Sequence, residues 1–232
     1  MDLIKLLLVD DDYDYRSIIK DCLEMTGEYA VYEAKNGKEG YDVFKTEKLD
    51  IIVTDVDMPK VSGLEMVDWI RKEDTNIPIV VTSGLTTREN VDEGFKHEID
   101  NYIRKPFQPE TLDGYVKALL RRMSNINQLV ADENQILPLG RYEFDLRNYC
   151  LIYDNKTISL SKRSALILYM LYRSRGKMVK RKEILKEFWG SEDDFFHSRS
   201  LDVFINKLRK HLNKDKSISI TTLRSEGLTL IC

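Results

Sequence analysis

Three consecutive aspartates, Asp10, Asp11 and Asp12, directly follow the apolar run Leu6–Val9. A second apolar run, Ile51–Val53, is followed by Asp55, and a third, Ile79–Val81, by Thr82 and Ser83. Lys105–Pro106 follows a less apolar stretch, Asn101–Arg104. Short apolar runs of this kind fit strands buried on both faces. In open α/β sheets, ligands bind outside the carboxyl ends of the strands. Three carboxylates, a hydroxyl and an amine would therefore converge on one edge. Crowded carboxylates repel and need a cation. Oxygen ligands that leave room for water and phosphate suit Mg²⁺. Asp10 and Asp11 would hold the metal, while Asp55 would be both ligand and nucleophile, forming an acyl phosphate. Lys105 would neutralise one phosphoryl oxygen and Thr82 would donate a hydrogen bond to another. The triplet also has a plainer use, because Asp11 or Asp12 could cap a helix over Tyr13–Met25.

These residues need a scaffold. Between the runs lie helical segments at Tyr13–Met25, Lys38–Thr46, Leu64–Lys72, Arg88–Phe95 and Pro109–Arg122. With Tyr29–Ala34 as a further strand, the first half makes five βα units. That pattern predicts a parallel sheet with helices on both faces. Residues 123–138 are rich in Asn, Gln and acids, have little apolar periodicity, and read as a linker. The second half opens with strands near Tyr142–Leu146, Cys150–Tyr153 and Thr157–Leu160. Helices at Lys162–Arg173, Arg181–Trp189 and Ser198–Leu212 follow, and β runs at Ser217–Thr222 and Leu228–Ile231 close the chain. The expected organisation is a domain at 1–122, a linker at 123–138 and a second domain at 139–232.

Charge separates the halves as well. The 232 residues carry a net charge of −3. Residues 1–122 hold 17 Lys+Arg against 26 Asp+Glu, whereas residues 123–232 hold 19 against 13. A basic second half suits a polyanionic partner. Within it, Leu201, Ile205, Leu208 and Leu212 fall within about 60° on a helical wheel and make a core stripe. Arg199, Val203, Asn206, Lys207 and Lys210 lie opposite, on a face that could enter a DNA major groove. No apolar run approaches the ~18 residues of a membrane span, and the N-terminus does not read as a signal peptide. Cys22, Cys150 and Cys232 are too scattered for a disulfide framework, which fits a reducing cytoplasm.

Four stretches of the first half, LLLVDDD, IIVTDVDMPKVSG, PIVVTSG and DNYIRKPF, resemble the receiver domain of two-component response regulators. The resemblance implies a flavodoxin-like, doubly wound fold with five parallel strands. It implies that Asp10, Asp11 and Asp55 bind Mg²⁺ with the backbone carbonyl of Asp57, and that Asp55 accepts phosphate from a sensor histidine kinase. Lys105 would contact that phosphate, and Thr82 and Tyr102 would form a switch pair in which the ring turns into space that Thr82 vacates. LSKRSALILYMLYRSRGKMVKRKEIL, SRSLDVFINKLRKHL and ITTLRSEGLTL resemble the winged-helix effector domain of the OmpR/PhoB family, an α+β fold. That implies a DNA-binding transcriptional regulator rather than an enzyme, with Ser198–Leu212 as recognition helix and Leu223–Leu228 as wing. Arg199, Asn206 and Lys207 would read bases in double-stranded DNA. Ser200, Val203, Phe204 and Lys210 are further contact candidates, with Arg224 in the minor groove and Trp189 on a phosphate.

Some positions depart from the pattern. Phe204 and Asn206 stand where many relatives carry His and Arg, and the wing reads Ser225–Glu226–Gly227–Leu228 in place of the common Gly-x-Gly-Tyr. Asn101 and Tyr115 replace the Asp and Arg with which relatives form cross-subunit ion pairs, although Lys117 keeps one cation. A homodimer after phosphorylation and contact with RNA polymerase remain expected. Two other readings stay open at the level of sequence. Asp55-x-Asp57 resembles the paired acids of haloacid-dehalogenase-type phosphatases, although those follow the first strand and these follow the third. The same folds could also serve a regulator that does not depend on phosphorylation.

Overall fold

Val9, Thr54 and Val81 stand side by side in the middle of one parallel sheet. The chain is described here from a computed structural model covering residues 2–84, 97–131, 136–190, 195–223 and 226–232. It divides into two units, Met1–Leu120 and Arg121–Cys232.

The strands of the first unit are β1 (Ile4–Val9), β2 (Tyr29–Ala34), β3 (Ile51–Asp55), β4 (Ile79–Ser83) and β5 (Asn101–Arg104). They pair in the order β2-β1-β3-β4-β5, all parallel. Leu6, Leu7, Val9, Ile51, Ile52, Val53, Ile79, Val80 and Val81 are entirely buried. A fully buried aliphatic side chain of this size stabilises a fold by roughly 1.5–3 kcal/mol. The apolar runs are therefore the main reason the sheet forms. Helices α1 (Tyr13–Met25), α2 (Gly37–Thr46) and α3 (Gly63–Glu73) follow the first three strands, and α4 (Pro109–Ala131) follows β5. Asp12 caps α1, its carboxylate accepting from the Tyr15 amide at 3.0 Å. Ser62 and Glu65 form a reciprocal capping box on α3. The expected helix at Arg88–Phe95 lies outside the described residues.

Within the expected linker, 123–138, α4 continues to Ala131 and a strand starts at Ile136, while residues 132–135 lie outside the described residues. Polar composition suggested a linker, but no Gly or Pro occurs from Tyr115 to Leu137. Asn and Gln lower helix propensity only modestly, so a helix begun at Pro109 continues through them.

The second unit holds an antiparallel sheet in the order β6-β7-β8-β9, with β6 (Ile136–Leu139), β7 (Tyr142–Asp145), β8 (Cys150–Tyr153) and β9 (Lys156–Ser159). Next come α5 (Lys162–Arg173), the two-residue β10 (Val179–Lys180), α6 (Arg181–Trp189) and α7 (Phe195–His211). Strands β11 (Ser219–Leu223) and β12 (Gly227–Ile231) form a hairpin, and the small sheet runs β10-β12-β11. Gly190 ends α6 in the left-handed region at φ 74°, which lets its amide reach the carbonyls of Leu185 and Lys186. The Leu201, Ile205, Leu208 and Leu212 stripe lies in the core of this unit, each residue at most 3% exposed.

Candidate metal centre and candidate nucleic-acid interface

The carboxyl ends of β1, β3 and β5 bring Asp10, Asp55 and Lys105 together. The Lys105 ammonium bridges the two acids, 2.6 Å from Asp10 Oδ2 and 2.5 Å from Asp55 Oδ2. Asp11 completes the group, because Asp10, Asp11 and Asp55 each place a carboxylate oxygen within 4.8 Å of the other two. Asp10 is buried and Asp11 exposed, so the cluster opens toward solvent on one side. Asp55 is 8% exposed.

Neighbouring backbone fixes the acids. Arg16 on α1 donates to the Asp10 carbonyl at 2.5 Å and pairs with Glu33 at 3.1 Å. The Asp12 amide donates to Asp10 Oδ1 at 3.1 Å. Around Asp55, the Thr54 hydroxyl donates to the Asp55 carbonyl at 3.0 Å. Gly63, at the start of α3, lies so close that a Cβ there would sit 1.9 Å from that same carbonyl oxygen. The glycine in IIVTDVDMPKVSG is thus a packing requirement directly behind Asp55. Arg16 and Gly63 were not singled out as site residues by sequence; an Arg four residues after an N-cap is too common a signal.

The charges are mutually dependent. Burial pushes the Asp10 carboxyl above its ordinary value, and the hydrogen bond and charge of Lys105 only partly offset this. Burial alone would depress Lys105, but its hydrogen bonds and attraction to Asp10 and Asp55 more than reverse that, so its pKa is raised. Tyr15 closes one side. Its ring lies 5.0 Å from the ammonium and edge-on to Phe107 at 5.6 Å. Three clustered carboxylates with one exposed member fit a small hard cation.

Thr82 is 2% exposed, and its hydroxyl makes a long 3.4 Å contact to the Thr54 carbonyl. Tyr102 is already buried, at 5% exposure, and hydrogen-bonds the side chain of Ser83. The expected inward turn of this ring therefore has no outward starting point in this conformation. Asp57 sits two residues beyond Asp55, its amide 3.4 Å from Asp55 Oδ1. Asn101 is buried and its side chain accepts from the Tyr102 amide at 2.9 Å. Tyr115 is half-buried, and Lys117 pairs within its own unit with Glu28 at 2.6 Å and Asp113 at 3.1 Å.

On α7 the structure sorts the candidates. Asn206 and Lys210 are exposed; Arg199, Val203 and Lys207 are partly so. Ser200 and Phe204, at 0% and 3% exposure, belong to the interior and are withdrawn as DNA contacts. They were contact candidates under the family resemblance, but the core wraps further round the helix than the stripe Leu201, Ile205, Leu208 and Leu212 indicates. Trp189 is withdrawn for the same reason. It is 3% exposed and packs against Phe188, Phe204 and His197, with the Arg163 guanidinium 4.9 Å from its ring centroid. Arg224 lies outside the described residues. No helix among the described residues is long and apolar enough to cross a membrane.

Known families match both halves of the chain. Residues 6–117 match the response regulator receiver domain, and residues 155–230 match the C-terminal domain of transcriptional regulatory proteins. The transcriptional regulatory protein RprY of Bacteroides fragilis is 32% identical over 98% of this chain and 94% of its own length. The probable transcriptional regulator ycf27 of Cyanidium caldarium is also 32% identical, over 98% of this chain and 93% of its own. Among solved structures, the Thermotoga maritima response regulator DrrB, an OmpR/PhoB homologue, covers both chains fully at 25% identity and a TM-score of 0.50. The chain belongs to the OmpR/PhoB family of two-component response regulators, transcription factors that join a receiver domain to a C-terminal DNA-binding domain.

Proposed function

We propose that Asp55 is the phosphoryl acceptor of this regulator and that its phosphorylation by a sensor histidine kinase controls binding of double-stranded DNA through α7. The observation that carries this reading is the Lys105 ammonium held between Asp10 and Asp55 beside the exposed Asp11. Asp10, Asp11 and Asp55, with the backbone carbonyl of Asp57, would hold Mg²⁺. Bound there, the cation would supply charge neutralisation for a phosphoryl group.

An Asp55 carboxylate oxygen attacks phosphorus. The bond from phosphorus to the donor nitrogen breaks, and the electron pair leaves with the donor. Lys105 is within reach of a phosphoryl oxygen once it releases an Asp55 oxygen, and its raised pKa keeps it cationic for that role. Thr82, one strand away in register with Asp55, supplies a hydroxyl. Because Tyr102 is already inside, phosphorylation acts by favouring the state in which Thr82 turns to the phosphate and the ring stays buried. On the DNA side, Asn206 and Lys210 are the best exposed contacts, with Arg199, Val203 and Lys207 flanking them and Arg224 on the wing. Basic side chains here give affinity, and Asn206 gives selectivity for adenine. We place the protein in the cytoplasm, as a homodimer on DNA in contact with RNA polymerase. Asn101, Tyr115 and the engaged Lys117 make the usual ion-paired receiver face a less secure dimer contact here.

The test is labelling with radioactive acetyl phosphate in Mg²⁺. The wild-type chain takes up acid-stable, base-labile label, and Asp55→Asn takes up none. Undiminished labelling of Asp55→Asn removes the assignment.

A further inference from the structure

Two arginines tie α7 to the neighbouring hairpin, and sequence patterning singled out neither. Arg209, on the third turn after Arg199, turns away from the exposed face toward β11. Its Nε donates to the Ile220 carbonyl at 2.9 Å and its Nη2 to the Thr222 hydroxyl at 2.7 Å. Its Nη1 makes a longer contact, 3.4 Å, with Oδ1 of Asn206. Arg181, the first residue of α6, secures the other side. Its Nη1 donates to Asp202 Oδ1 at 2.8 Å and its Nη2 to the Ser198 carbonyl, both on α7. Its own amide donates to the Glu226 carbonyl, next to β12, at 2.8 Å. Strand β11 and the residue that precedes β12 are thereby linked to one helix.

The need for such links is physical. Among the described residues, outside the hairpin's own pairing, β12 has only the two-residue β10 as partner, and β11 has no second neighbour in the sheet. A two-stranded ribbon is marginal in water without packing, and four of the five residues of β11 are exposed. A guanidinium suits the task because its planar fork fixes several acceptors at set angles, which an ammonium cannot do. A helix in one groove and a hairpin in the next bind well only if their spacing is set before contact, since otherwise binding must include the cost of ordering them.

We propose that Arg209, with Arg181 as its counterpart, is a positioning residue that fixes the hairpin against the recognition helix and so sets sequence discrimination rather than general attraction to DNA. This rests on the reading of α7 as a groove-entering helix. Arg209 also steadies Asn206, the amide best placed to read a base. Its charge is used inside the protein and adds little to phosphate contact.

The experiment uses the full-length chain and two probes: duplexes enriched by the wild-type protein from a random-sequence library, and a duplex of unenriched random sequence. Arg209→Lys keeps the charge and loses the fork; Thr222→Val removes one acceptor and leaves the arginine. Amide hydrogen exchange over residues 219–223 is measured in the absence of DNA. Arg209→Lys is expected to speed exchange in β11 at least tenfold and to weaken the enriched duplex about tenfold, with the random duplex changed less than twofold. Thr222→Val should move both quantities the same way by a smaller factor. Parallel loss on both duplexes in Arg209→Met, with exchange unchanged, would make Arg209 a phosphate contact and overturn the proposal. So would unchanged exchange and unchanged discrimination in Arg209→Lys. If the wild-type chain enriches no duplex, the DNA-binding reading fails, while the exchange measurement still decides whether the brace exists.

Discussion

Replacing Lys105 by Met tests the electrostatics of the acidic pocket most directly. The substitution keeps much of the stem and removes the only ammonium contacting Asp10 and Asp55 among the described residues. Two carboxylate charges at 4.8 Å, the outer limit of the cluster, repel by about 3.5 kcal/mol at an effective dielectric constant of about 20. Asp10 escapes part of this by taking up a proton, since burial already raises its pKa. A loss of about 2–3 kcal/mol at pH 7.5 in chelator is therefore expected. For a unit of this size that lowers the melting midpoint by roughly 10 °C. The pH dependence has a definite sign. A buried carboxyl whose folded pKa lies above its unfolded value binds its proton more tightly when folded, so stability falls as pH rises through that interval. Loss of Lys105 raises the Asp10 pKa further and widens the interval upward from the ordinary carboxylate value. The mutant's deficit should thus shrink on acidification toward pH 5. Mg²⁺ at millimolar concentration should raise the mutant's midpoint more than the wild type's, because it supplies the missing positive charge. The assay is thermal unfolding by circular dichroism with EDTA or MgCl₂ at both pH values. A mutant as stable as wild type in EDTA at pH 7.5, with no larger response to Mg²⁺, would refute the argument.

Four further substitutions have outcomes that follow from the structure. Gly63→Ala would place a methyl 1.9 Å from the Asp55 carbonyl; overpacking of this kind costs about 1–3 kcal/mol, and phosphorylation of Asp55 should slow even where unfolding melts show an intact fold. Arg71→Met leaves Asp100 without the Arg71 contact at 3.2 Å and removes donors to the carbonyls of Glu98, Asp74 and Ile77. Breaking such a buried pair costs about 3–5 kcal/mol, read as a shifted urea midpoint. Phe204→Ala should destabilise the second unit by about 3–5 kcal/mol, whereas Asn206→Ala should change stability by less than about 0.5 kcal/mol and alter which duplexes are enriched.

Much of the receiver was legible because its signal is local. Strands buried on both faces appear as uninterrupted apolar runs, and the residues just past Val9, Val53 and Val81 must meet once the strands are parallel. Tyr102 was legible as part of β5, but its side-chain state was not, because an aromatic on an edge strand packs on either side of the backbone. Ser200 and Phe204 were carried over as contacts from the family resemblance, which does not show how wide a face of the helix this chain buries. The helix through residues 123–131 was missed because polar composition was taken for coil. Strand β6 was missed because Pro138 interrupts it, which an edge strand tolerates. Arg181 and Arg209 were hidden for another reason: in sequence, a basic residue tied to carbonyls cannot be told from one facing solvent.

The order β2-β1-β3-β4-β5 puts Asp10 and Asp55 at the ends of interior strands and Tyr102 on the margin. Among the described residues, β5 is ladder-bonded along one flank only, to β4. The interior strands resist displacement, since shifting one breaks two rows of pairing. The margin gives way more readily, and only four residues separate Arg104, its last, from Pro109, where the long helix that runs past the unit boundary at Leu120 begins. The fold thus separates a stiff chemical floor from a compliant rim, and the onward chain is attached to the rim.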